Sequence, residues 1–160
     1  MTDTRGRMTI DPHGDQLVLA GAIDETAALD ELLQRATGGR LALDLAGIAF
    51  INSLGVRDWI RMQSNATRGG IHVELRRVSE PIIHQLNMII ATRGTARVTS
   101  FFAPYACDAC GREESLLVDA VANAALLQRL QPPVMKCPEC GADMAFNDFP
   151  ERYFSFLVPG

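Results

Sequence analysis

Four cysteines carry the strongest chemical signal in the sequence. They stand in two copies of one pattern, Cys107-Asp-Ala-Cys110-Gly111 and Cys137-Pro-Glu-Cys140-Gly141. Two thiolates with two residues between them can bind one metal ion from a tight turn. The glycine that follows lets the backbone bend with a positive φ. Four thiolates complete a closed tetrahedral zinc site. The sequence therefore predicts one structural zinc ion per chain, bound by Cys107, Cys110, Cys137 and Cys140.

Two other uses of these cysteines fit the sequence less well. Redox-active Cys-x-x-Cys pairs lie at the strand-to-helix turn of a thioredoxin-like unit, and neither pair has that context. A catalytic zinc ion needs an open coordination position, and four thiolates leave none. The two pairs are separated by residues 111–136, which is longer than the usual spacing of a zinc ribbon. A helical insertion at about 119–130 accounts for the excess.

Ser53 is the second candidate for chemistry, because Asn52 and Ser53 begin a helix pattern. A serine at this position can accept a hydrogen bond from a free backbone N–H group and so cap the helix. The same N–H groups and the helix dipole also stabilise a phosphate, and Arg57, one turn further on, could pair with it. The residues alone favour the cap over a phosphorylation site.

The elements that position Ser53 alternate between strand and helix patterns over residues 1–103. Strand patterns occupy 16–20, 41–45, 71–75 and 96–102, with 49–51 continuing extended after the second, and helix patterns occupy 24–36, 52–66 and 79–90. Asp24 is the expected N-cap of the first helix, and the third helix is expected to bury Ile82, Ile83, Leu86, Ile89 and Ile90. The order β-β-α-β-α-β-α-β predicts an α/β domain with a mixed or parallel sheet.

Residues 104–160 have a different character and are predicted to form a separate zinc-ribbon module. A short strand pattern at 115–118 precedes the helix-like run, Gln131-Pro132-Pro133 ends that run, and the apolar tail at 151–158 fits a last strand. This segment has too little apolar material to fold alone, so metal binding is expected to fold it.

Composition and charge limit the classes of function. The chain has 160 residues, of which 48% are apolar, and a net charge of −4. All of that charge lies in residues 104–160, which contain four Lys and Arg and eight Asp and Glu. This acidic balance argues against nucleic-acid binding. No apolar run approaches the ~20 residues of a membrane span, and the polar stretch Met1 to Arg7 is not a secretory signal. We expect a soluble cytoplasmic protein with reduced thiols.

The most informative segment is 41–56, Leu-Ala-Leu-Asp-Leu-Ala-Gly-Ile-Ala-Phe-Ile-Asn-Ser-Leu-Gly-Val. It resembles the STAS domain of bacterial anti-sigma-factor antagonists, in which a buried strand with an aspartate leads into Asp-Ser-x-Gly and the serine opens a helix. Asp44 matches the strand aspartate, Ser53 the phosphorylatable serine and Gly55 the helix glycine. Asn52 stands where the family usually has aspartate. The resemblance extends over about residues 8–103.

The resemblance implies a STAS-like mixed sheet with helices and a regulatory function without enzymatic activity. In that family the unphosphorylated serine form binds an anti-sigma factor or a serine kinase of the histidine-kinase-like ATPase type. Phosphorylation of the serine, here Ser53, breaks the complex, and a phosphatase restores it. The residues expected at the partner surface are Asn52, Ser53, Leu54, Gly55, Val56, Arg57 and Arg61.

Other functions stay open at the level of sequence. One is a constitutive STAS adaptor in a stress-signalling or ABC-transport assembly, with Ser53 only a helix cap. The presence of Asn52 in place of the usual aspartate favours this alternative. Another is a zinc-ribbon nucleic-acid binder. An enzyme is not expected, since there is no Gly-rich phosphate loop and His13, His72 and His84 are scattered. Trp59 is expected to pack in the core rather than to anchor an interface, and the oligomeric state is left open.

Overall fold

The computed structural model describes residues 6–158, so the predictions for residues 1–5 and for the last two residues lie outside it. The strands are β1 (Thr9–His13), β2 (Gln16–Ile23), β3 (Arg40–Ile51), β4 (His72–Arg76), β5 (Arg97–Val98), β6 (Ser100–Ala106), β7 (Glu113–Asp119), β8 (Met135–Lys136) and β9 (Asp143–Phe146). The helices are α1 (Asp30–Gln34), α2 (Ser53–Arg68), α3 (Glu80–Met88), α4 (Ala124–Gln128) and α5 (Pro150–Tyr153), with 3-10 turns at Ile90–Thr92 and Ser155–Leu157.

The first sheet has the order β1-β2-β3-β4-β5, with β1 antiparallel to β2 and all other neighbours parallel. Parallel neighbours need crossover connections, which are nearly always right-handed and therefore gather their helices on one face of such a sheet. Accordingly, α1 contacts α2, and α3 packs on β3. The predicted α/β fold with a mixed sheet, and its order of elements, is confirmed.

Strand β3 is the centre of this sheet and leads directly to Ser53. Leu41, Leu43 and Leu45 are buried, as a central strand requires. The predicted strand at 41–45 and the extended stretch at 49–51 form one strand, which is irregular where it pairs with β2. Asp44 is buried in the middle of this strand, where its Oδ1 accepts from the N–H of Ala46 at 3.0 Å and its Oδ2 from Arg77 at 3.2 Å.

The second sheet is antiparallel throughout and has the order β7-β6-β9-β8. It joins the first sheet through a parallel bridge between Val78 and Phe101. The strand predicted at 96–102 is therefore two strands, β5 in the first sheet and β6 in the second. They separate at Thr99, whose N–H donates to the carbonyl of Leu75 at 3.0 Å. Strand β6 continues past residue 103, where the domain boundary was predicted.

Three predicted elements differ in the structure. Helix α1 is shorter, because Asp24 does not cap a helix; its carboxylate accepts from the N–H of Thr26 at 2.8 Å and stabilises a turn. Strand β7 extends to Asp119, which leaves only Ala124–Gln128 helical in the predicted 119–130 run. The tail forms α5 and a 3-10 turn instead of a strand, and the hydroxyl of Tyr153 donates to the carbonyl of Phe102 at 2.6 Å.

The third helix ends earlier than predicted, whereas the core position of Trp59 is confirmed. Helix α3 ends at Met88, so Ile90 is 71% exposed and the prediction of a buried Ile90 is wrong. Trp59 is 1% exposed, and its indole N–H donates to the carbonyl of Thr92 at 2.8 Å. Such a ring is unavailable as an interface anchor. Within residues 6–158 no helix combines the length and apolar character needed to cross a bilayer.

Candidate functional site

The four cysteines lie at the tips of two hairpins in the second sheet. The Cys107–Cys110 turn joins β6 to β7, and the Cys137–Cys140 turn joins β8 to β9. Pairing of β6 with β9 brings the two tips together. The four Sγ atoms all lie within 4.8 Å of one another, with 3.5 Å between Cys107 and Cys140 and 3.6 Å between Cys110 and Cys137.

The two turns have the same backbone construction. In the first, the N–H of Gly111 donates to the carbonyl of Cys107 at 2.8 Å, and in the second, the N–H of Gly141 donates to that of Cys137 at 2.9 Å. The two glycines have φ values of 77° and 78°, a left-handed conformation that other residues adopt at a cost. The glycine after each second cysteine is therefore required by the turn, as its place in the sequence pattern indicates.

The sulfur cluster fits a tetrahedral metal ion. With metal–sulfur bonds of about 2.3 Å, the sulfurs of a tetrahedral site lie about 3.8 Å apart. The observed spacing brackets this value. Cys107 and Cys137 are buried and Cys110 and Cys140 exposed, so the cluster lies at the surface with two ligands anchored in the core. The site can hold a metal ion through all four sulfurs.

The surroundings of this cluster shift the pKa values of the Cys137 and Cys110 thiols in opposite directions. The backbone N–H of Cys140 donates to the Cys137 sulfur and lowers the pKa of that thiol to about 7. At Cys110 the N–H of Arg112 acts in the same direction, but desolvation and the neighbouring thiols outweigh it and raise the pKa to about 12. The N–H donor beside Cys137 therefore favours the thiolate form, which is the form that binds a metal ion.

Asn52, rather than Ser53, caps helix α2. The side-chain Oδ1 of Asn52 accepts from the N–H of Gly55 at 2.8 Å, and its Nδ2 donates to Glu25 at 3.1 Å. Ser53 is the first residue of the helix and is exposed. Among the residues that the structure describes, no group forms a hydrogen bond with the Ser53 hydroxyl. The serine is thus free of the capping role that its position allows.

Gly55 fixes the first turn of α2 against the end of β2. A Cβ atom on Gly55 would lie 2.0 Å from the carbonyl oxygen of Ile23, far inside van der Waals contact. The N–H of Asn52 donates to the same carbonyl at 3.2 Å. The glycine of the Ser-x-Gly pattern is therefore needed for close backbone approach, and it holds Ser53 at a defined place on the surface.

An apolar cleft of about 470 Å³ begins beside Ser53 and runs between α2 and α3. Its lining residues are Ile51, Asn52, Ser53, Val56, Arg57, Ile60, Gln85 and Ile89. Four of these lining residues were not predicted from the sequence, since the packing of α3 beside α2 is a tertiary feature: Ile51, Ile60, Gln85 and Ile89. The one available signal was the apolar run at the end of α3.

The residues predicted at the partner surface divide into an exposed and a supporting group. Ser53, Leu54, Arg57 and Arg61 are exposed, and Asn52 is half-buried. Gly55 and Val56 are buried, so Gly55 supports the turn and Val56 reaches only the wall of the cleft. Arg57 and Arg61 both lie beside Asp58, at 3.1 and 3.7 Å.

The three histidines are not brought together. His13 ends β1, His72 begins β4, and both are exposed. His84 lies on α3 with its ring edge-on to Tyr153 at 6.1 Å between centroids. None of them lies in the cysteine cluster or lines the cleft at Ser53.

No protein-family model, curated protein or solved structure was found to match the chain. What the protein does must therefore be inferred from its own residues and their geometry.

Proposed function

We propose that the chain is a regulatory protein-binding module of the STAS type, like the anti-sigma-factor antagonists, in which phosphorylation of Ser53 switches the partner. The observation that carries this proposal is the exposed Ser53 at the first position of α2, on the rim of an apolar cleft. The partner is an anti-sigma factor or a serine kinase of the histidine-kinase-like ATPase type, and a phosphatase reverses the modification. The setting is the cytoplasm, where thiols stay reduced.

The surroundings of Ser53 favour a phosphate. The first turn of α2, residues 53–56, carries no acidic side chain, and the unpaired N–H groups of that turn stabilise an anion. Arg57 is one turn further on with 58% of its side chain exposed, so it can swing towards a phosphate. Since Asn52 already caps the helix, modification of Ser53 leaves the cap in place.

The cleft explains how such a modification would break a complex. An apolar side chain of the partner can enter between Val56, Ile60 and Ile89, with Ser53 at the edge of the contact. A phosphoserine adds close to two negative charges, which an apolar interface would have to desolvate. Its formation would therefore weaken the complex while the fold is unchanged.

We assign a structural zinc ion, one per chain, to the four cysteines. Thiolate ligands in a closed set of four are typical of structural zinc. The ion would join the tips of two hairpins that have little core of their own, so binding contributes directly to their folding. The ribbon supports the first sheet through the bridge between Val78 and Phe101.

A constitutive adaptor is the second candidate, and one contact favours it. The side chain of Asn52 holds the carboxylate of Glu25 next to the start of α2. A carboxylate at this place opposes a phosphate on Ser53 through like-charge repulsion. In this alternative Ser53 is never modified, and the partner stays bound.

The two candidates are separated by affinity capture from the native lysate with matched baits. The baits are the wild type, Ser53→Ala, Ser53→Asp and Ser64→Asp, where Ser64 is exposed on the same helix but far from its N-terminus. A partner held by all baits except Ser53→Asp supports the switch. A partner held equally by Ser53→Asp and Ser64→Asp identifies a constitutive adaptor.

The cleft is tested in the same format with the captured partner. Ile89→Asp places a charge in the cleft and should abolish capture, whereas Met88→Asp changes its exposed neighbour outside the cleft and should leave capture intact. Loss of capture by both variants, or by neither, would contradict docking in the cleft.

A further inference from the structure

Strand β7 (Glu113–Asp119) is the one long open edge among the described strands. It lies at the end of the second sheet and pairs only with β6. The other three edge strands are protected: β1 contains Pro12, and β5 and β8 have two residues each. An edge of seven residues without proline can accept another strand.

The hydrogen-bond pattern tells which backbone groups of β7 face outward. The N–H of Cys107 donates to Arg112 at 2.8 Å, and the N–H of Ala120 donates to Thr99 at 2.9 Å. These two bonded pairs lie in the same register as the β6–β7 ladder, in which bonded and non-bonded pairs alternate. The alternation means that the backbone N–H and carbonyl groups of Glu114, Leu116 and Val118 point towards β6. The backbone N–H and carbonyl groups of Glu113, Ser115 and Leu117 point outward, away from β6.

The residues of β6 opposite Ser115 and Leu117 confirm this assignment. The N–H of Phe102, which faces Leu117, donates to Val78 at 2.9 Å on the far side of β6. The carbonyl of Pro104, which faces Ser115, accepts from Asn147 at 2.9 Å, again on the far side. The N–H of Phe102 and the carbonyl of Pro104 therefore both point away from β7. Within residues 6–158, no backbone partner is found for the outward groups of Glu113, Ser115 and Leu117.

The acidic and apolar side chains along β7 indicate what kind of strand would pair with it. Glu113 and Asp119 end the strand, Glu114 between them is already paired with Arg112 at 2.7 Å, and all of the protein's net charge of −4 belongs to residues 104–160. Leu117 and Val121 are apolar and 43% and 53% exposed. A strand that brings Lys or Arg to the acidic positions and an apolar side chain to Leu117 complements both features.

A second copy of the chain is a poorer occupant. Two β7 strands paired antiparallel through their outward groups would set Glu113 of one copy opposite Asp119 of the other, in segments that each carry the −4 charge. A basic extended segment meets no such repulsion.

We propose that β7 binds an extended segment of a partner protein by strand addition, with basic residues flanking an apolar one. The backbone groups of Glu113, Ser115 and Leu117 supply the hydrogen bonds, and the acidic residues select the charge. This site is separate from Ser53, so it can fail or succeed independently of the proposed switch.

The probe is a capped peptide of the length of β7 in which lysine alternates with valine, added to the metal-loaded full chain. Amide hydrogen exchange is followed by NMR. We expect the amides of Glu113, Ser115 and Leu117 to exchange fast in the free protein and to become protected with the peptide, whereas those of Glu114, Leu116 and Val118 are protected throughout. The same peptide with N-methylated amides along one edge should not protect them.

Two pairs of variants test the backbone and the charge separately. Ser115→Pro removes an outward N–H without breaking the ladder to β6, and it should weaken peptide binding about fivefold or more, whereas Ser115→Ala should bind like the wild type. Glu113→Lys should weaken binding, and Glu113→Gln should weaken it less. Equal binding of the N-methylated peptide would mean a purely electrostatic contact and would overturn the proposal. So would protection of these amides by self-association without peptide, or absence of binding.

Discussion

At the residue scale, two neighbouring side chains divide the roles that one helix N-terminus offers. Asn52 caps α2 through Gly55 and also binds Glu25, which leaves the Ser53 hydroxyl exposed. The sequence predicted that the helix begins at this pair but assigned the cap to serine. Both side chains are good caps, and the choice between them depends on the direction of the chain as it leaves β3, a tertiary property.

This division of roles predicts unequal costs for two alanine substitutions. Asn52→Ala removes the cap and should lower the free energy of unfolding by about 1 kcal/mol, whereas Ser53→Ala and Ser53→Asp should change it much less. Urea titrations followed by circular dichroism measure all three. A larger loss for Ser53→Ala than for Asn52→Ala would return the cap to Ser53 and weaken the case for its modification.

Gly55 gives a second prediction at this scale. Gly55→Ala forces a Cβ to 2.0 Å from the Ile23 carbonyl, so the first turn of α2 has to shift and the free energy of unfolding should fall by about 1–3 kcal/mol or more. The matched control is Ser64→Ala, exposed on the same helix, which should be neutral. A Gly55→Ala protein as stable as this control would refute the close approach.

At the scale of elements, the helices and strands predicted best are those whose hydrophobic pattern and end signals lie within one continuous stretch of the sequence. Helix α2, with caps at both ends, was placed within two residues, and so was β4. The tail was predicted as a strand because its residues are aromatic and apolar, but Asn87 binds it as a turn, through the carbonyl of Tyr153 and the N–H of Phe156. These partners lie more than sixty positions away in the chain, so no local pattern contains them.

The cysteine hairpins give the prediction that belongs to this scale. Native mass spectrometry should find one zinc ion per chain, and a chelator should remove the amide protection of β6, β7 and β9 while zinc restores it. Cys110→Ser should reproduce the effect of the chelator. A chain without metal, or a second sheet that keeps its protection after metal removal, would contradict the assigned centre.

At the scale of the whole molecule, the two sheets share one apolar core. Buried residues that pack beside the first sheet, Val78 after β4 and Ile83 on α3, belong to the same cluster as Phe101, Tyr153 and Phe154. The sequence suggested two units because composition changes after residue 103, yet composition carries no information about packing between them. Arg77 links them further, since it binds Asp44 and lies over the ring of Phe102.

A shared core predicts cooperative unfolding. Trp59, the only tryptophan, reports on the first sheet, and the two tyrosines, Tyr105 and Tyr153, report on the second and its tail. Their near-ultraviolet signals should change in one coincident transition in the metal-loaded protein. Separate transitions for tryptophan and tyrosine would mean that the sheets unfold independently.

The central claim is that the state of Ser53 decides whether a partner binds. The most direct measurement is the affinity of the captured partner for chains carrying either serine or phosphoserine at position 53, both loaded with metal, by isothermal titration calorimetry. We expect phosphoserine to weaken binding by about tenfold or more, about 1.4 kcal/mol, with unchanged stability of the chain itself. Equal affinities for the two forms would contradict the account and leave a partner that binds constitutively.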